Sequence, residues 1–468
     1  MSGTVKPITS LSETLATADA LRRGTGTQLG DIIVTDIYAN AEQITQKVVR
    51  RSRETARSWD QKLDDIVTSR LFGYPIMLAL LGVIFWITIE GANVPSDLLA
   101  DALFAFQDQL TIWFTAAGSP AWLHGVLVLG LYRGLAWVVS VMLPPMAIFF
   151  PLFTLLEDLG YLPRVAFNMD HIFKKCKACG KQALTMCMGF GCNAAGIVSC
   201  RIIDSPRERL IAIVTNNFVP CNGRFPTLIA IATIFVGGLF AQQFETLVAA
   251  AVITGLVLLG ILTTFAVSWA LSHTLLKGEP SSLVLELPPY RPPQIGAIIY
   301  RSLIDRTYFV LKRALIMAAP AGAITWILAN VYIGDSSVLA HMADFLAPFG
   351  HAVGMDGFIL LAFILGLPAN EIVVPILLMG YLAAGQMTEI DSLAELGEIL
   401  LANGWTWLTA TCTMLFCLLH WPCTTALLTA YKESGSLKWT LLTFLIPTVL
   451  AFGVCFLVAQ TARLLQLV

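Results

Sequence analysis

Long apolar runs separated by short charged segments make up most of the chain after its first 70 residues. Most of these runs approach the length of roughly 20 apolar residues that a helix needs to cross a bilayer. The first predicted span is Phe72 to Ile89. Further spans are predicted at residues 123–156, 210–240, 244–271, 315–331, 405–429 and 441–458. This pattern predicts a helical membrane protein with many spans.

The charges between the apolar runs predict which side each connection occupies. Arginines cluster at positions 50–57, before the first span, which places the N-terminus in the cytoplasm. The stretch Glu90 to Gln109 has four acidic residues and no Lys or Arg, so it is predicted to be an external loop, whereas residues 164–181 are basic and predicted to be internal. Residues 183–199 and 357–382 then begin and end on the same side, which predicts two re-entrant elements.

These assignments divide the chain into four parts. A cytoplasmic helical segment at residues 1–70 precedes a first transmembrane repeat at 71–276. A proline-rich, basic cytoplasmic connector at 277–313 leads to a second transmembrane repeat at 314–468. The course of residues 123–156, which Arg133 and two prolines interrupt, stays open.

The stretch from Met186 to Pro226 holds four cysteines, four asparagines and four arginines between apolar runs. Irregular backbone at membrane depth is tolerated only where it is buried in protein or lines a wet cavity. The sequences Gly189-Phe-Gly-Cys-Asn193 and Val219-Pro-Cys-Asn-Gly223 each predict a break in a helix. Each break presents a cysteine sulfur and an asparagine amide, as the wall of a transport site would.

The same signals recur in the second half of the chain. Gly189 to Asn193 aligns with Gly366-Leu-Pro-Ala-Asn370, and Pro220-Cys-Asn222 aligns with Pro422-Cys-Thr424. The first copy enters its re-entrant element from inside and the second from outside. Inverted repeats with discontinuous helices are typical of secondary transporters. The predicted fold class is therefore an all-α polytopic membrane protein with inverted repeats and re-entrant, discontinuous helices.

The four breaks are predicted to bring together thiols, amides, an imidazole and a carboxylate that suit a borderline transition-metal dication. The candidate metal ligands are Cys192, Asn193, Cys221, Asn370, Glu371, His420 and Cys423. Simpler roles compete with this one. A free cysteine is often a small buried apolar residue, Glu371 can pair with a helix N-terminus or an arginine, and His420 can be a packing residue. The lone Cys176-Lys-Ala-Cys179 motif is interpreted as a loop, with a metal relay as the alternative.

Composition excludes several classes of function. With 56% hydrophobic and 13% charged residues the chain is not a soluble domain, and its net charge of −2 gives no electrostatic case for nucleic-acid binding. Ten cysteines in 468 residues do not form a disulfide scaffold. No Gly-x-x-x-x-Gly-Lys-Ser/Thr phosphate loop and no nucleophile motif occur, so the chain is predicted to bind no nucleotide and not to be an enzyme.

Several motifs in this order resemble the membrane domain of the ferrous iron transport protein B (FeoB) family. They are Ser58-Trp-Asp-Gln-Lys-Leu-Asp-Asp-Ile-Val67, Leu155-Leu-Glu-Asp-Leu-Gly-Tyr161, Ala166-Phe-Asn-Met-Asp170, Met188-Gly-Phe-Gly-Cys-Asn193, Leu367-Pro-Ala-Asn-Glu-Ile-Val373, His420-Trp-Pro-Cys423 and Lys432-Glu-Ser-Gly435. The resemblance implies uptake of Fe(II), as the transported ion, across the bacterial cytoplasmic membrane through paired gate regions.

Family members typically begin with a G-protein domain, which this sequence does not show. The resemblance therefore implies a split form, with a separate G-protein chain, a FeoA-like small protein and membrane lipid as partners and a homo-oligomer left open. A permease for a nucleoside-like organic substrate and a non-transporting assembly component are the alternative functions. The choice between Fe(II), Mn(II) and Zn(II), between channel and carrier, and the energy source stay open.

Overall fold

The computed structural model describes residues 17, 20, 29–48, 59–69, 71–236, 245–278, 289–388, 390 and 392–466. The helices are α1 Leu29–Val48, α2 Trp59–Val67, α3 Gly73–Ala116, α4 Ala121–Asp158, α5 Tyr161–Lys175, α6 Lys181–Gly191, α7 Asn193–Ser199, α8 Pro206–Thr215, α9 Phe225–Phe235, α10 Glu245–His273, α11 Ile295–Asn330, α12 Val338–Ala352, α13 Gly357–Leu365, α14 Val373–Tyr381, α15 Leu393–Ala402, α16 Trp407–Leu419, α17 Thr424–Ser434 and α18 Leu437–Leu464. Strands β1 Tyr332–Ile333 and β2 Ser336–Ser337 form one small antiparallel hairpin.

Within these residues seven helical stretches are long and apolar enough to cross a membrane. The pair α12 and α13, which is bent by 110°, raises the number to eight if the pair is one span. The predicted fold class, an all-α polytopic membrane protein, is thereby confirmed. The arginine cluster at 50–57, on which the orientation of the N-terminus depends, lies outside the described residues, and the four-part division of the chain stays a prediction.

The external loop predicted at Glu90 to Gln109 is wrong, because these residues continue the first helix as part of α3. Their acidic residues stand at positions 90, 97, 101 and 108, and this spacing of seven, four and seven places them on one exposed face. Pro95 lies inside the helix without ending it. Acidic charge predicts exposed positions here, but it does not distinguish a loop from an exposed helix face.

Helix α4 runs without interruption through the stretch whose course was open, and its residues 125–132 have the wider π-helical turn. It packs closely against α11, where the Cα atoms of Gly130, Gly134 and Gly322 approach each other. A Cβ atom on Gly322 would overlap the backbone carbonyl of Gly130. Small residues allow such close approach of helices in membranes, and this contact ties the first half of the chain to the second.

Two groups of broken helices lie between these spans. The first broken unit (residues 181–235) comprises α6 to α9, with 3-10 turns at Asn216–Phe218 and Asn222–Arg224. The second broken unit (residues 357–434) comprises α13 to α17, with a 3-10 turn at Asn370–Ile372. The discontinuities predicted near Cys192, Pro220, Asn370 and Pro422 are all present, so the repeated broken-helix pattern is confirmed.

Candidate functional site

Each break turns the chain at a residue with extended backbone. Cys192 separates α6 from α7 with φ −156° and ψ 124°, and the aligned Ala369 has φ −153° and ψ 123°. Cys221 and Cys423 are also extended, at φ −85°, ψ 169° and φ −60°, ψ 158°. The near identity of the angles at Cys192 and Ala369 shows that the two breaks share one local geometry.

The breaks of both units meet at one cavity of about 30 Å³. A water molecule needs roughly 10–15 Å³ of such space, so the cavity has room for very few small particles. Its wall includes Cys192, Asn193, Cys221, Asn370, Glu371 and Cys423. Six of the seven predicted site residues are therefore brought together, although they come from positions up to 231 residues apart (423 − 192).

Glu371 supplies the carboxylate of this cavity wall. Its side chain lies directly against Gly223 of the first broken unit, where a Cβ atom would overlap the carboxylate. Gly223 thus permits the close approach of the two units. Among the residues that the structure describes, no Lys, Arg or His lies within ion-pair distance of Glu371. The carboxylate is therefore available to a cation in the cavity.

His420 is the predicted site residue that does not line the cavity. It is 1% exposed, and its Nδ1 lies 3.0 Å from the carbonyl oxygen of Phe416 and 2.9 Å from that of Cys417. Because carbonyls only accept, Nδ1 carries the hydrogen in these contacts. Nε2 then faces the Asn370 side chain, with Oδ1 at 3.4 Å. His420 thus lies behind Asn370, whose amide nitrogen is 4.0 Å from the Cys221 sulfur.

Asn193 is engaged by the protein around it. In the amide orientation that satisfies its neighbours, its nitrogen donates to the carbonyl oxygens of Val219 (3.2 Å) and Gly189 (3.1 Å). Its own backbone oxygen accepts from Asn216 at 3.0 Å. Asn193 therefore fastens the two breaks of the first unit together, in addition to lining the cavity. Its predicted role as a metal ligand stays a prediction.

Arg224 is a site residue that the sequence reasoning missed. It is fully buried and lies next to Gly223 in the second break of the first unit. Nη1 donates to the carbonyl oxygens of Asn217 and Leu418, both at 2.9 Å, and Nη2 donates to Asn217 Oδ1 at 3.0 Å. Nη2 also reaches the carbonyl oxygens of His420 (3.3 Å) and Trp421 (3.1 Å).

These contacts solve a problem that a broken helix creates at membrane depth. The last carbonyls of a helix have no partner within it, and an unpaired polar group in a dry interior is costly. A cation at a helix C-terminus is also favoured by the helix dipole. Arg224 satisfies the C-terminal end of α16 and holds the second unit to the first. The signal available in the sequence was a lone arginine inside an apolar stretch.

Met142 and Met146 of α4 also line the cavity and were not predicted. Met146 is 3% exposed and belongs to the core cluster that contains Cys192. Thioether sulfur is a soft ligand type, but it is also a common filler of irregular apolar space. No signal in the sequence separates them from the other methionines, because only the packing of α4 places them here.

In this conformation no three Cys, His, Asp or Glu side chains of the described residues are grouped closely enough to hold a metal ion. The thiols and the carboxylate surround the cavity without converging on one point. The arrangement therefore provides single possible contacts around a small cavity and not a complete set of metal ligands.

The Cys176-x-x-Cys179 pair lies in the loop between α5 and α6, away from this cavity. Burial raises the pKa of the Cys179 thiol to about 12 and also raises the pKa of Cys176. Metal binding requires the thiolate. These surroundings favour the interpretation as a loop over that as a metal relay.

A partly buried ion pair anchors α5, the helix that precedes the first broken unit, to α2. Arg164 of α5 is 1% exposed and donates to Asp64 of α2 from Nε at 2.9 Å and from Nη2 at 3.1 Å. The Tyr290 hydroxyl donates to Asp64 at 2.9 Å, and the Arg164 guanidinium lies 4.1 Å from the centre of the Tyr290 ring. The hydrogen bond from Arg164 lowers the pKa of Asp64, and burial raises that of Tyr290 to about 12.

Comparison with known proteins places this geometry in a family. The model of the gate family, described as nucleoside recognition, matches residues 139–235 and 311–437, and the model of the ferrous iron transport protein B C terminus matches residues 253–305. The gate matches include both broken units. No solved structure matches the chain.

Several curated relatives are also named as ferrous iron transport proteins. The Fe(2+) transporter FeoB of Staphylococcus aureus is 30% identical over 429 residues, which are 90% of this chain and 62% of the relative. The Fe(2+) transporter FeoB of Methanocaldococcus jannaschii is 26% identical over 92% of this chain and 63% of the relative. A Porphyromonas gingivalis relative, 27% identical over 91% of this chain and 54% of its own length, is a fusion of Fe(2+) transport protein A with FeoB. The chain thus spans less than two thirds of each of these relatives. Both family models and these relatives cover the broken units and the spans around them, and they confirm the resemblance of this chain to the FeoB family.

Proposed function

We propose that this chain is a permease that carries Fe(II) across the membrane through the cavity between its two broken units. The observation that carries this proposal is the meeting of three thiols, Cys192, Cys221 and Cys423, and the unpaired carboxylate of Glu371 at one cavity. The relatives named as Fe(2+) transporters support the choice of cargo. The finer assignment, that iron passes the cysteine- and asparagine-lined breaks, depends on this geometry.

The charges around the cavity favour a cation that binds sulfur. Arg224 is a fixed positive charge in the same interior, and it repels any cation that has no anionic partner there. Glu371 and a deprotonated thiol would offset that repulsion and the cost of removing a dication from water. Fe(II) binds thiolate, imidazole and carboxylate ligands, whereas Mg(II) and Ca(II) prefer oxygen alone. The cavity therefore favours Fe(II) over these hard cations.

The wider setting is also part of the proposal. The arginine cluster at 50–57 supports a location in the cytoplasmic membrane with the N-terminus inside. The fusion of Fe(2+) transport protein A with FeoB in one relative supports association with a FeoA-like protein. Because this sequence contains no phosphate loop, nucleotide hydrolysis would be the task of a separate G-protein domain, and this chain would have no enzymatic step.

A nucleoside-like substrate is the second candidate, because the matching gate model is described as nucleoside recognition. Pockets for organic ligands are usually several hundred cubic ångströms, on the order of 300–1,000 Å³. The cavity of about 30 Å³ would have to open widely to admit a nucleoside. Its size and its thiols favour an ion.

Anaerobic uptake of Fe(II) into proteoliposomes tests the proposal. The wild type is compared with the Cys192→Ser, Cys221→Ser and Cys423→Ser variants, each in the presence and absence of a FeoB-type G-protein domain. Cys200→Ser is the matched control, since Cys200 is a buried thiol of the same unit that does not line the cavity.

Saturable uptake by the wild type and the control, and its loss in the three variants, is the expected result. Equal uptake by all proteins would show that the three thiols are not needed for transport, and only the general assignment as a permease would stand. Uptake of a labelled nucleoside and none of iron, under either condition, would overturn the proposal.

A further inference from the structure

A second polar cavity lies outside the proposed pathway. It has a volume of about 250 Å³ and forms where the C-terminal end of α4 meets the connector and the first turns of α11. Its wall includes Thr154, Glu157, Asp158, Arg291, Arg301 and Arg306. Since it lies at the ends of two membrane spans, it is located at the level of the membrane surface.

The charges of this cavity are only partly compensated. Arg306 donates to Glu157 at 2.8 Å and to the Thr154 hydroxyl at 3.0 Å. Asp158 accepts from the backbone nitrogen of Gln294 at 2.8 Å. Neither Arg291 nor Arg301 has a carboxylate within 4.0 Å among the residues that the structure describes. Among the described side chains, therefore, two guanidinium groups at the wall of one polar cavity have no anionic partner.

We propose that this cavity binds a phosphate group through Arg291 and Arg301. Arginine presents a planar fork of N–H donors that matches the oxygens of phosphate. Two guanidinium groups around one cavity provide both this hydrogen-bonding geometry and two positive charges. The contacts of Arg306 with Glu157 and Thr154 hold this part of α11 against the end of α4, where the cavity forms.

The surroundings indicate a phospholipid as the source of the phosphate. Tyr300 and Ile304, which flank Arg301 on α11, are 61% and 45% exposed, and Ile299 is 47% exposed. The sequence analysis assigns these residues to the connector, but the structure includes them in α11, a helix long and apolar enough to cross a membrane. Exposed apolar and aromatic side chains at the end of such a helix are suited to contact with lipid. Basic pockets between spans at the membrane surface are suited to anionic headgroups. A soluble phosphate ester has the same chemistry, so the experiment must separate the two.

The cavity is also linked to the first broken unit. Gly160, which lines it, accepts from Arg164 Nη1 at 2.7 Å, and Tyr290, next to Arg291, contacts the same arginine. An occupied cavity would therefore stabilise the connector against α5, the helix that leads into α6 and Cys192. The bound phosphate would be a structural ligand, and it would not enter the ion pathway.

Native mass spectrometry of the full chain in detergent tests the proposal with phosphatidylglycerol, phosphatidylcholine and inorganic phosphate as probes. The R291Q/R301Q variant is compared with K432Q/K438Q, which removes the same charge from two exposed lysines elsewhere. The R291K/R301K variant keeps the charge and removes the forks. Size-exclusion chromatography checks that every variant is folded and monodisperse.

We expect the wild type and the lysine control to retain phosphatidylglycerol over phosphatidylcholine, and R291Q/R301Q to lose at least about tenfold in that retention, with R291K/R301K in between. If inorganic phosphate binds to the wild type and competes with the lipid, the site is confirmed and its physiological ligand is a soluble phosphate. Equal retention by R291Q/R301Q and the control would overturn the proposal. If R291Q/R301Q is unfolded, the R291K/R301K variant decides the test instead. Unchanged retention of phosphatidylglycerol by that variant would support a site that depends on charge alone and would contradict the forked contact.

Discussion

The two broken units share a backbone design but divide the chemistry between them. The first unit supplies buried side-chain donors, whereas the second supplies backbone carbonyls that accept from them and the carboxylate of Glu371. When the two units are aligned at their Pro-Cys breaks, three polar residues of the first unit correspond to apolar residues of the second. The aligned pairs are Asn216 with Leu418, Asn217 with Leu419 and Arg224 with Ala426.

The two units therefore have similar backbone breaks but present different side chains at them. An arginine in both units would place two like charges in one interior, at a high cost in a medium of low dielectric constant. One arginine that bridges the units satisfies the carbonyls of the other break instead. The thiols show the same asymmetry, because Cys192 aligns with Ala369 while Cys221 aligns with Cys423.

Replacing the bridging cation should have the largest effect. Arg224→Met leaves several buried carbonyl oxygens and the Asn217 amide oxygen without a donor, so the free energy of unfolding should fall by about 3 kcal/mol or more. Unfolding of the purified protein by SDS in mixed micelles measures it. The control is Asp204→Asn, which removes an ion pair between Lys181 and the exposed carboxylate of Asp204 and should cost less than about 1 kcal/mol. Equal losses in both variants would mean that Arg224 does not bridge the units.

Separating the two units without removing a ligand should abolish transport and largely spare the fold. In Gly223→Ala the new methyl group displaces the Glu371 carboxylate from the first unit. We expect Fe(II) uptake to fall by at least about tenfold, which corresponds to about 1.4 kcal/mol. Gly255→Ala on α10 is the control, since a Cβ atom there meets no atom within 4 Å. Normal uptake by Gly223→Ala would show that contact between the units is not needed.

Moving a thiol across the cavity sharpens the comparison of the aligned breaks. Cys192→Ser should weaken Fe(II) binding, and the double variant Cys192→Ser/Ala369→Cys should recover part of it, because Ala369 has the same backbone angles and lines the same cavity. The recovery should be less than about tenfold, or about 1.4 kcal/mol. Titration with Fe(II) under anaerobic conditions measures it. No recovery in a folded double variant would mean that the two breaks are not interchangeable.

Loss of the ion pair between Asp64 and Arg164, which anchors α5 to α2, should have the smallest effect. The lowered pKa of Asp64 means that its ion pair contributes stability above the ordinary carboxyl pKa of about 4, and that this contribution is lost as the pH falls below that value through the lowered pKa. The pKa of Tyr290, raised to about 12, predicts a second loss as the pH rises from about 10 toward that value.

Thermal unfolding of the wild type and of Asp64→Asn, measured from acid to alkaline pH, checks the direction of this pH dependence. The difference between the two proteins should be constant near neutral pH and should shrink in acid. A difference that grows as the pH falls would contradict the assigned ion pair with Arg164.

The sequence was sufficient for the features that are local in the chain. Gly and Pro next to Cys192, Cys221, Asn370 and Cys423 predicted the breaks, and the repeat predicted that they meet. It was insufficient wherever the partner lies far along the chain. Nothing near Arg224 shows that it reaches the carbonyls of Leu418 and Trp421, 194 and 197 residues away.

The same limit explains the other differences. His420 was grouped with the ligands because it stands three residues before Cys423, but its ring turns toward the carbonyls of its own helix. The acidic residues of α3 predict a loop, but charge indicates exposure and not backbone conformation, and these residues are helical. Position along the chain and composition predict where the backbone breaks. Only the three-dimensional contacts show which side chain faces the cavity.

The most direct test of the central claim is the coordination of iron in the loaded protein. X-ray absorption at the iron K-edge, on anaerobic Fe(II)-loaded protein, should show sulfur in the first coordination shell of the wild type and of Cys200→Ser. That sulfur signal should be lost in the Cys192→Ser/Cys221→Ser/Cys423→Ser variant. A first shell of oxygen and nitrogen alone in a wild-type protein that transports iron would contradict the account.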